Sequence, residues 1–138
     1  MPLLTLNGDV TLDGASLRFG IVSATQSFLS PGIELAVSWR VHLLRSLTFD
    51  FNFLAQIRFS GGRTALNFRP GMGFSYLDGI TSVLYADQYF IHANFGVSFL
   101  CLPLKNFYME VGIDYSQLFI SADYLGFFRP WISTGLQF

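Results

Sequence analysis

The sequence has little charge, one cysteine and no long hydrophobic run. Charged residues make up 12% of the 138 positions and sum to a formal net charge of -1, whereas about 25% is usual for a soluble domain. This balance excludes a disordered chain and argues against a nucleic-acid partner, which would need a basic face. No apolar run approaches the ~18 residues of a membrane-spanning helix. The lone cysteine, Cys101, excludes an intramolecular disulfide and a cysteine-based metal site.

The N-terminus has none of the features of a secretory signal peptide. The segment Met1-Pro2-Leu3-Leu4 contains no basic residue and is not followed by an apolar core or a small-residue cleavage site. Two origins are therefore open. The chain is either cytoplasmic, or a mature chain from which a signal peptide has been removed.

Hydrophobic residues nevertheless form 51% of the chain, and they recur at every second position. From residue 33 onwards, apolar residues alternate with polar or small ones: Ile33, Leu35, Val37, Trp39 and Val41 against Glu34, Ala36, Ser38, Arg40 and His42. Successive side chains of a strand point to opposite faces, so this period predicts β-strands. Similar segments, separated by turn-forming residues, predict one domain over 1–138 with eight strands, at about 3–12, 15–25, 32–43, 47–60, 63–77, 89–102, 106–117 and 127–138.

The turns between these segments predict how neighbouring strands align. Loops of two or three residues bring polar residues opposite one another. The predicted pairs are Asp9 with Arg18, Arg40 with Asp50, Gln56 with Asn67 and Asn94 with Asp114, with Glu34 diagonal to Arg58 and His92 diagonal to Asp114. Pro70 and Pro130 fall inside predicted strands, where each removes a backbone hydrogen bond, so we expect bulges or strand ends there.

The alternation leaves open which face is inside. A soluble lipocalin-like barrel would bind lipid against an inward apolar face, and a membrane barrel would turn that face outward. The polar face favours the membrane arrangement, because it is rich in small residues that suit a narrow lumen: Gly20, Ala36, Gly71, Gly73, Gly96, Gly112 and Gly135. We predict an all-β fold, an eight-stranded antiparallel up-and-down transmembrane β-barrel with an apolar outside and a polar lumen.

Eleven titratable residues on the polar face are the candidate site. They are Asp9, Arg18, Glu34, Arg40, Asp50, Arg58, Arg69, His92, Glu110, Asp114 and Arg129. The near balance of arginines and carboxylates predicts a salt-bridge network that plugs the lumen; the alternative is a catalytic or ion-selective lining. His92 with Asp114 resembles an acid–base pair, but Ser98 lies about 20 Å along the strand from His92. We therefore expect no catalytic residue, no metal site and no cofactor.

The C-terminal segment carries the most specific pattern. Residues 128–138 alternate to the end and include Gly135, Leu136 and a final aromatic, Phe138. This resembles the terminal strand of bacterial outer-membrane β-barrels, and the whole chain resembles the small barrels of the OmpX, OmpW and OmpA type. The resemblance implies a bacterial outer-membrane location with the signal peptide already removed, contact with the lipid bilayer, and assembly by the barrel-assembly machinery, which reads the terminal strand.

Two longer connections, 78–88 and 116–126, would then face the cell exterior. Leu118, Phe119 and Ile120 in the second connection would either cover the rim of the barrel or form a patch for a partner protein. We predict a non-enzymatic barrel with a structural or surface-interaction role. The alternatives are a narrow channel for small hydrophobic molecules, which resemblance to OmpW implies, and the soluble lipid-binding barrel.

Overall fold

The chain forms a closed antiparallel barrel of eight strands. The computed structural model describes residues 2–11, 14–23, 28–40, 45–59, 61–77, 88–120 and 123–138. The strands are β1 (Pro2–Thr11), β2 (Gly14–Ser23), β3 (Leu29–Arg40), β4 (Ser46–Arg58), β5 (Thr64–Leu77), β6 (Gln88–Cys101), β7 (Phe107–Ile120) and β8 (Asp123–Gln137). Each strand pairs with its neighbour in sequence, and β1 pairs with β8 to close the barrel. Among the described residues, no helix is long and apolar enough to span a membrane.

The apolar residues of each strand lie on the outside of the barrel. Phe53, Ile91 and Ile132 are 61%, 68% and 61% exposed, whereas the polar residues between such positions are buried in the lumen. The predicted fold class is confirmed, including the direction of its faces. The soluble lipocalin-like alternative is wrong, because that barrel would need the apolar face inside.

The strands are long enough to cross a bilayer. They contain between 10 and 15 residues, and a tilted membrane-spanning strand needs about 9–11. The barrel has two unlike ends. We call the end where β1 begins and β8 finishes the terminal end; the β2–β3, β4–β5 and β6–β7 connections lie there, and the other four lie at the opposite, loop end.

Only one of the four predicted strand registers is correct. Gln56 faces Asn67 as expected, and its side-chain nitrogen donates a 3.1 Å hydrogen bond to the Asn67 oxygen. The other three are wrong, because Arg18 faces Asn7, Asp50 faces Ala36 and Asp114 faces Gly96. The two diagonal predictions are wrong as well, since Glu34 faces Asn52 and His92 faces Leu118.

Each of these errors is a shift by an even number of residues. Asn7 lies two positions from Asp9, Ala36 lies four from Arg40, and Gly96 lies two from Asn94. A shift by one residue would turn every side chain to the other face, but a shift by two leaves all of them where they were. The apolar pattern therefore excludes odd shifts only.

The two strand prolines cause no bulge, contrary to expectation. The β4–β5 register is the same on both sides of Pro70, with Asn52 opposite Gly71 and Ala55 opposite Phe68. On its other side, β5 pairs Pro70 directly with Phe95. Pro130 likewise pairs with Ile113 inside the unbroken β7–β8 ladder.

The predicted connection 116–126 is mostly strand. β7 continues through Ile120 and β8 already begins at Asp123, so Leu118, Phe119 and Ile120 belong to β7 rather than to a loop. Leu118 is 2% exposed and points inward, whereas Phe119 points outward. The other predicted connection, 78–88, lies outside the described residues except for Gln88, where β6 begins.

Candidate functional site: the ion-pair network of the lumen

Arg18 on β2 is the centre of the buried network. Its Nε lies 2.6 Å from Oδ2 of Asp9, and its Nη2 lies 3.1 Å from Oδ2 of Asp114. The third carboxylate, that of Glu34, is 3.8 Å from Nη1. Asp9 is on the neighbouring strand β1 and Asp114 is on β7, so one guanidinium connects β2 to a strand three positions away around the barrel.

Arg69 on β5 forms the second half of the network. Its Nε contacts Oε2 of Glu34 at 3.2 Å, and its two terminal nitrogens contact Ser98 and Glu110. Glu34 therefore bridges Arg69 and Arg18. Arg69 is 3% exposed and its partners are equally buried, so these charges are neutralised by one another rather than by water.

Trp131 on β8 lies against both arginines. The guanidinium carbon of Arg18 is 4.1 Å from the centre of the indole ring, and that of Arg69 is 5.3 Å away. Cations in this position are attracted by the negative face of the ring. Trp131 was not among the residues predicted for the lumen. The alternation could have placed it there, because Trp131 lies two residues from Arg129 and from Ser133 and therefore on the same face of the strand.

Bulky lumen residues lie directly across from glycines. Trp131 pairs with Gly112 and Tyr108 pairs with Gly135 on the β7–β8 ladder. A Cβ built on either glycine would lie 2.6 Å from the facing ring. The small residues predicted to suit a narrow lumen thus provide the space for particular aromatic side chains.

His92 on β6 pairs with a carboxylate other than the predicted one. Its Nε2 contacts Oδ1 of Asp50, and its Nδ1 is 3.0 Å from the Ser75 hydroxyl. The predicted pairing with Asp114 is wrong, because Asp114 binds Arg18 and Arg129 instead. Ser75, His92 and Asp50 form a buried hydrogen-bonded chain, and Ser98 belongs to the Arg69 cluster.

Two further predicted members, Arg40 and Arg58, have contacts of other kinds. Arg40 stacks its guanidinium 4.1 Å from the Phe127 ring centre, near the loop end of β3. Arg58 lies near the terminal end and donates a 2.9 Å hydrogen bond to Gln56. Arg129 does join the network, through a 3.1 Å contact with Asp114.

The predicted assembly segment forms the seam of the barrel. Phe138 exchanges two backbone hydrogen bonds with Leu4, of 2.9 and 3.1 Å. Leu136 faces Leu6 on β1 and Phe107 on β7, and Gly135 lies beneath Tyr108. These residues join the last strand to the first.

Little space remains within the network. The cavity between Arg18, Asp50, Arg69 and Asp114 measures about 10 Å³, which is no more than one water molecule needs. The described part of the chain also contains no group of three or more side chains suited to hold a metal ion. The arrangement can neutralise charge and fill space.

No protein-family model matches the sequence, and no curated protein matches it. Solved structures do match. The N-terminal β-barrel domain of Pseudomonas aeruginosa OprF superimposes with a TM-score of 0.72 at 12% identity, over 99% of this chain and 96% of that one. Neisserial surface protein A gives 0.62 at 11% identity, over 99% and 92%. Yersinia pestis Ail gives 0.60 at 10% identity, over 99% and 98%. The chain therefore has the fold of the small eight-stranded outer-membrane β-barrels.

Proposed function

We propose that this chain is an integral barrel of the bacterial outer membrane whose lumen is closed by its ion-pair network, with a structural or surface-interaction role and no enzymatic activity. The observation that carries the proposal is the cluster of Arg18, Glu34 and Arg69, which joins β2, β3 and β5 through the lumen beside a cavity of about 10 Å³. An open pore would need a continuous water-filled path at this level.

The outward apolar surface supports a location in the membrane. Exposed aromatic and aliphatic residues occur on all eight strands, and a patch of that extent on a soluble monomer would cause aggregation. The likeness to three outer-membrane barrels supports the choice of that membrane. Barrel-assembly machinery acting on the Gly135–Phe138 segment is part of the same proposal.

The proposed absence of enzymatic activity is supported by the surroundings of the serine–histidine–aspartate chain that the described residues contain. Ser75 and His92 are each 3% exposed, and both nitrogens of the histidine ring are already hydrogen-bonded. A nucleophilic serine needs an adjacent space where a substrate carbonyl can lie. We propose that these residues hold β4, β5 and β6 together. We propose the connection 78–88 and the segment 116–126 as the place where a partner protein would bind at the cell surface.

Ionic conductance in a planar bilayer tests the closed lumen. We expect the wild-type barrel to give no sustained current above that of the lipid alone. Replacing Arg69 and Glu110 with small residues, R69A together with E110A, removes the Arg69 side chain that connects β3, β5 and β7 and should produce measurable current. R63A is the matched control, because Arg63 is exposed in the β4–β5 turn.

Two results would overturn the proposal. Sustained single-channel current from the wild type would mean that the lumen is open. Transport of a small hydrophobic molecule into liposomes by the wild type, without ionic current, would favour the narrow-channel alternative instead.

A further inference from the structure

A separate cavity opens at the terminal end of the barrel. It measures about 360 Å³, and its lining residues come from the terminal ends of β1, β4, β5, β6 and β8 and from the β4–β5 and β6–β7 turns. Its apolar lining includes Ala65, Leu100 and Leu102, and its polar lining includes Arg58, Lys105 and the amide of Gln56. The other lining residues are Leu3, Gly62, Asn106, Gln137 and Phe138. Ala65 and Leu100 also pack with Tyr108 in a small buried apolar cluster, so the inner wall of the cavity is formed by packed side chains.

The charged side chains that the structure describes at this end are all cationic. Arg58, Arg63 and Lys105 lie there, whereas the sequence has no aspartate or glutamate at residues 1–8, 14–33, 53–77, 88–109 or 124–138. Among the described residues, neither Arg58 nor Lys105 forms an ion pair with a side chain. The carboxylate of Glu110, further along the lumen, is already bound to Arg69.

The cations at the terminal end differ from the arginines of the lumen network. Arg18, Arg69 and Arg129 each have a carboxylate partner. The half-buried Arg58 instead donates a hydrogen bond through its Nε to the neutral amide of Gln56, and no carboxylate side chain among the described residues pairs with it. A cation beside an apolar wall binds best a ligand that is anionic at one end and apolar at the other.

We propose that this cavity binds an amphiphile with one hydrocarbon chain and an anionic headgroup, either a carboxylate or a phosphate. The headgroup contacts Arg58 and Lys105, and the chain packs on Ala65, Leu100 and Leu102. The volume lies at the low end of small-molecule sites, which span about 300–1,000 Å³. It therefore suits a single-chain amphiphile rather than a two-chain phospholipid. The proposal does not depend on whether the lumen conducts.

Photo-crosslinking in nanodiscs of zwitterionic lipid tests the site. The probe is a twelve-carbon fatty acid with a diazirine on its chain, and the adducts are mapped by mass spectrometry. We expect adducts at residues 100–106, suppressed by excess laurate or dodecyl phosphate but not by dodecanol. Comparing laurate with dodecyl phosphate distinguishes a carboxylate ligand from a phosphate ligand.

Charge variants separate binding in the cavity from partition into the bilayer. R58Q should weaken labelling at residues 100–106 by roughly tenfold, since a hydrogen bond to a charged group is worth at least that factor. K105Q should have a smaller effect because Lys105 is exposed. The matched control is R63Q, which removes the same charge from the same end but outside the cavity lining. Retained heat-modifiable gel mobility verifies that each variant is folded.

Adducts confined to the outward apolar surface, or equal labelling of wild type and R58Q/K105Q, would overturn the proposal. Equal competition by dodecanol would also overturn it, because the headgroup charge would then be irrelevant. If nanodiscs containing phosphatidylglycerol abolish the labelling, the cavity binds the headgroups of two-chain lipids and the single-chain assignment is wrong.

Discussion

Trp131 and Tyr108 occupy the lumen because the residues across from them have no side chain. Each ring fills the space above a glycine on the neighbouring strand, Gly112 and Gly135 respectively. A glycine in a strand normally weakens the sheet, since it packs nothing and costs backbone entropy. A facing aromatic ring covers it, as in designed sheets where aromatic residues compensate for glycine. The spacing of glycines along the sequence indicated a crowded lumen, but not which ring each would receive.

Adding one methyl group at Gly112 should therefore destabilise the barrel. A Cβ there would lie 2.6 Å from both the Trp131 ring and the Ser98 Cβ, and 2.8 Å from the Val97 carbonyl oxygen. Overpacking of this kind costs about 1–3 kcal/mol. We expect G112A to lower the free energy of unfolding by that amount in urea titrations of the detergent-folded protein.

The matched control is G8A on the outward face of β1. The nearest atom to a Cβ at Gly8 is 3.8 Å away, on the Leu17 side chain. An equal loss of stability in G8A and G112A would contradict the role assigned to the Trp131–Gly112 pair.

At the scale of strands, a register was predicted correctly only where the sequence specified the length of the turn. Gly61 and Gly62 have positive φ angles of 100° and 68°, which is the conformation of a two-residue hairpin loop. That turn is specified by sequence, and the β4–β5 register derived from it is correct. The other turns allow several loop lengths of the same parity, so their registers were two or four residues out.

Disulfide formation measures the β3–β4 register directly. Leu35 faces Phe51 in the structure, whereas the turn-based prediction places Trp39 there. In a C101S background, L35C/F51C should crosslink readily, because directly paired Cα atoms are about 4.5–5.5 Å apart. W39C/F51C should not, because four residues along a strand add about 13 Å.

Both variants contain the F51C substitution, so a difference in crosslinking between them cannot come from the reactivity of that cysteine. Crosslinking of W39C/F51C but not of L35C/F51C would restore the turn-based register. Non-reducing gel mobility after mild oxidation gives the readout.

At the scale of the whole molecule, the barrel is apolar outside and charged inside. This explains how a chain that is 51% hydrophobic contains no long hydrophobic run: the apolar residues become continuous only when eight strands lie side by side. The few charges are concentrated where they meet one another, and Arg18 and Arg69 neutralise carboxylates from three other strands.

Nitroxide labels at two adjacent positions test whether the apolar face points to the lipid and the polar face to the lumen. Phe51 is 39% exposed and Asn52 is 5% exposed. In proteoliposomes, a label at position 51 should be accessible to lipid-soluble oxygen, and one at position 52 should be far less so. Because Asn52 donates a hydrogen bond to Glu34, the outward Phe53 and the inward Leu54 provide a second pair that leaves this contact intact. Equal oxygen accessibility within both pairs would contradict the orientation.

The sequence by itself determined the number of strands, the face that each side chain takes and the residues that line the lumen. It could do so because these follow from a period of two along one strand. The turns predicted that Asp9 and Arg18 meet, and they do, at 2.6 Å. Only the tertiary structure decided which charges meet across strands that are not neighbours. Arg18 with Asp114 and Arg69 with Glu34 join strands that are not neighbours in the sheet, so their contact depends on barrel closure and on register. Register is open to even shifts in any alternating sequence, and loop geometry and packing of the lumen select one of them.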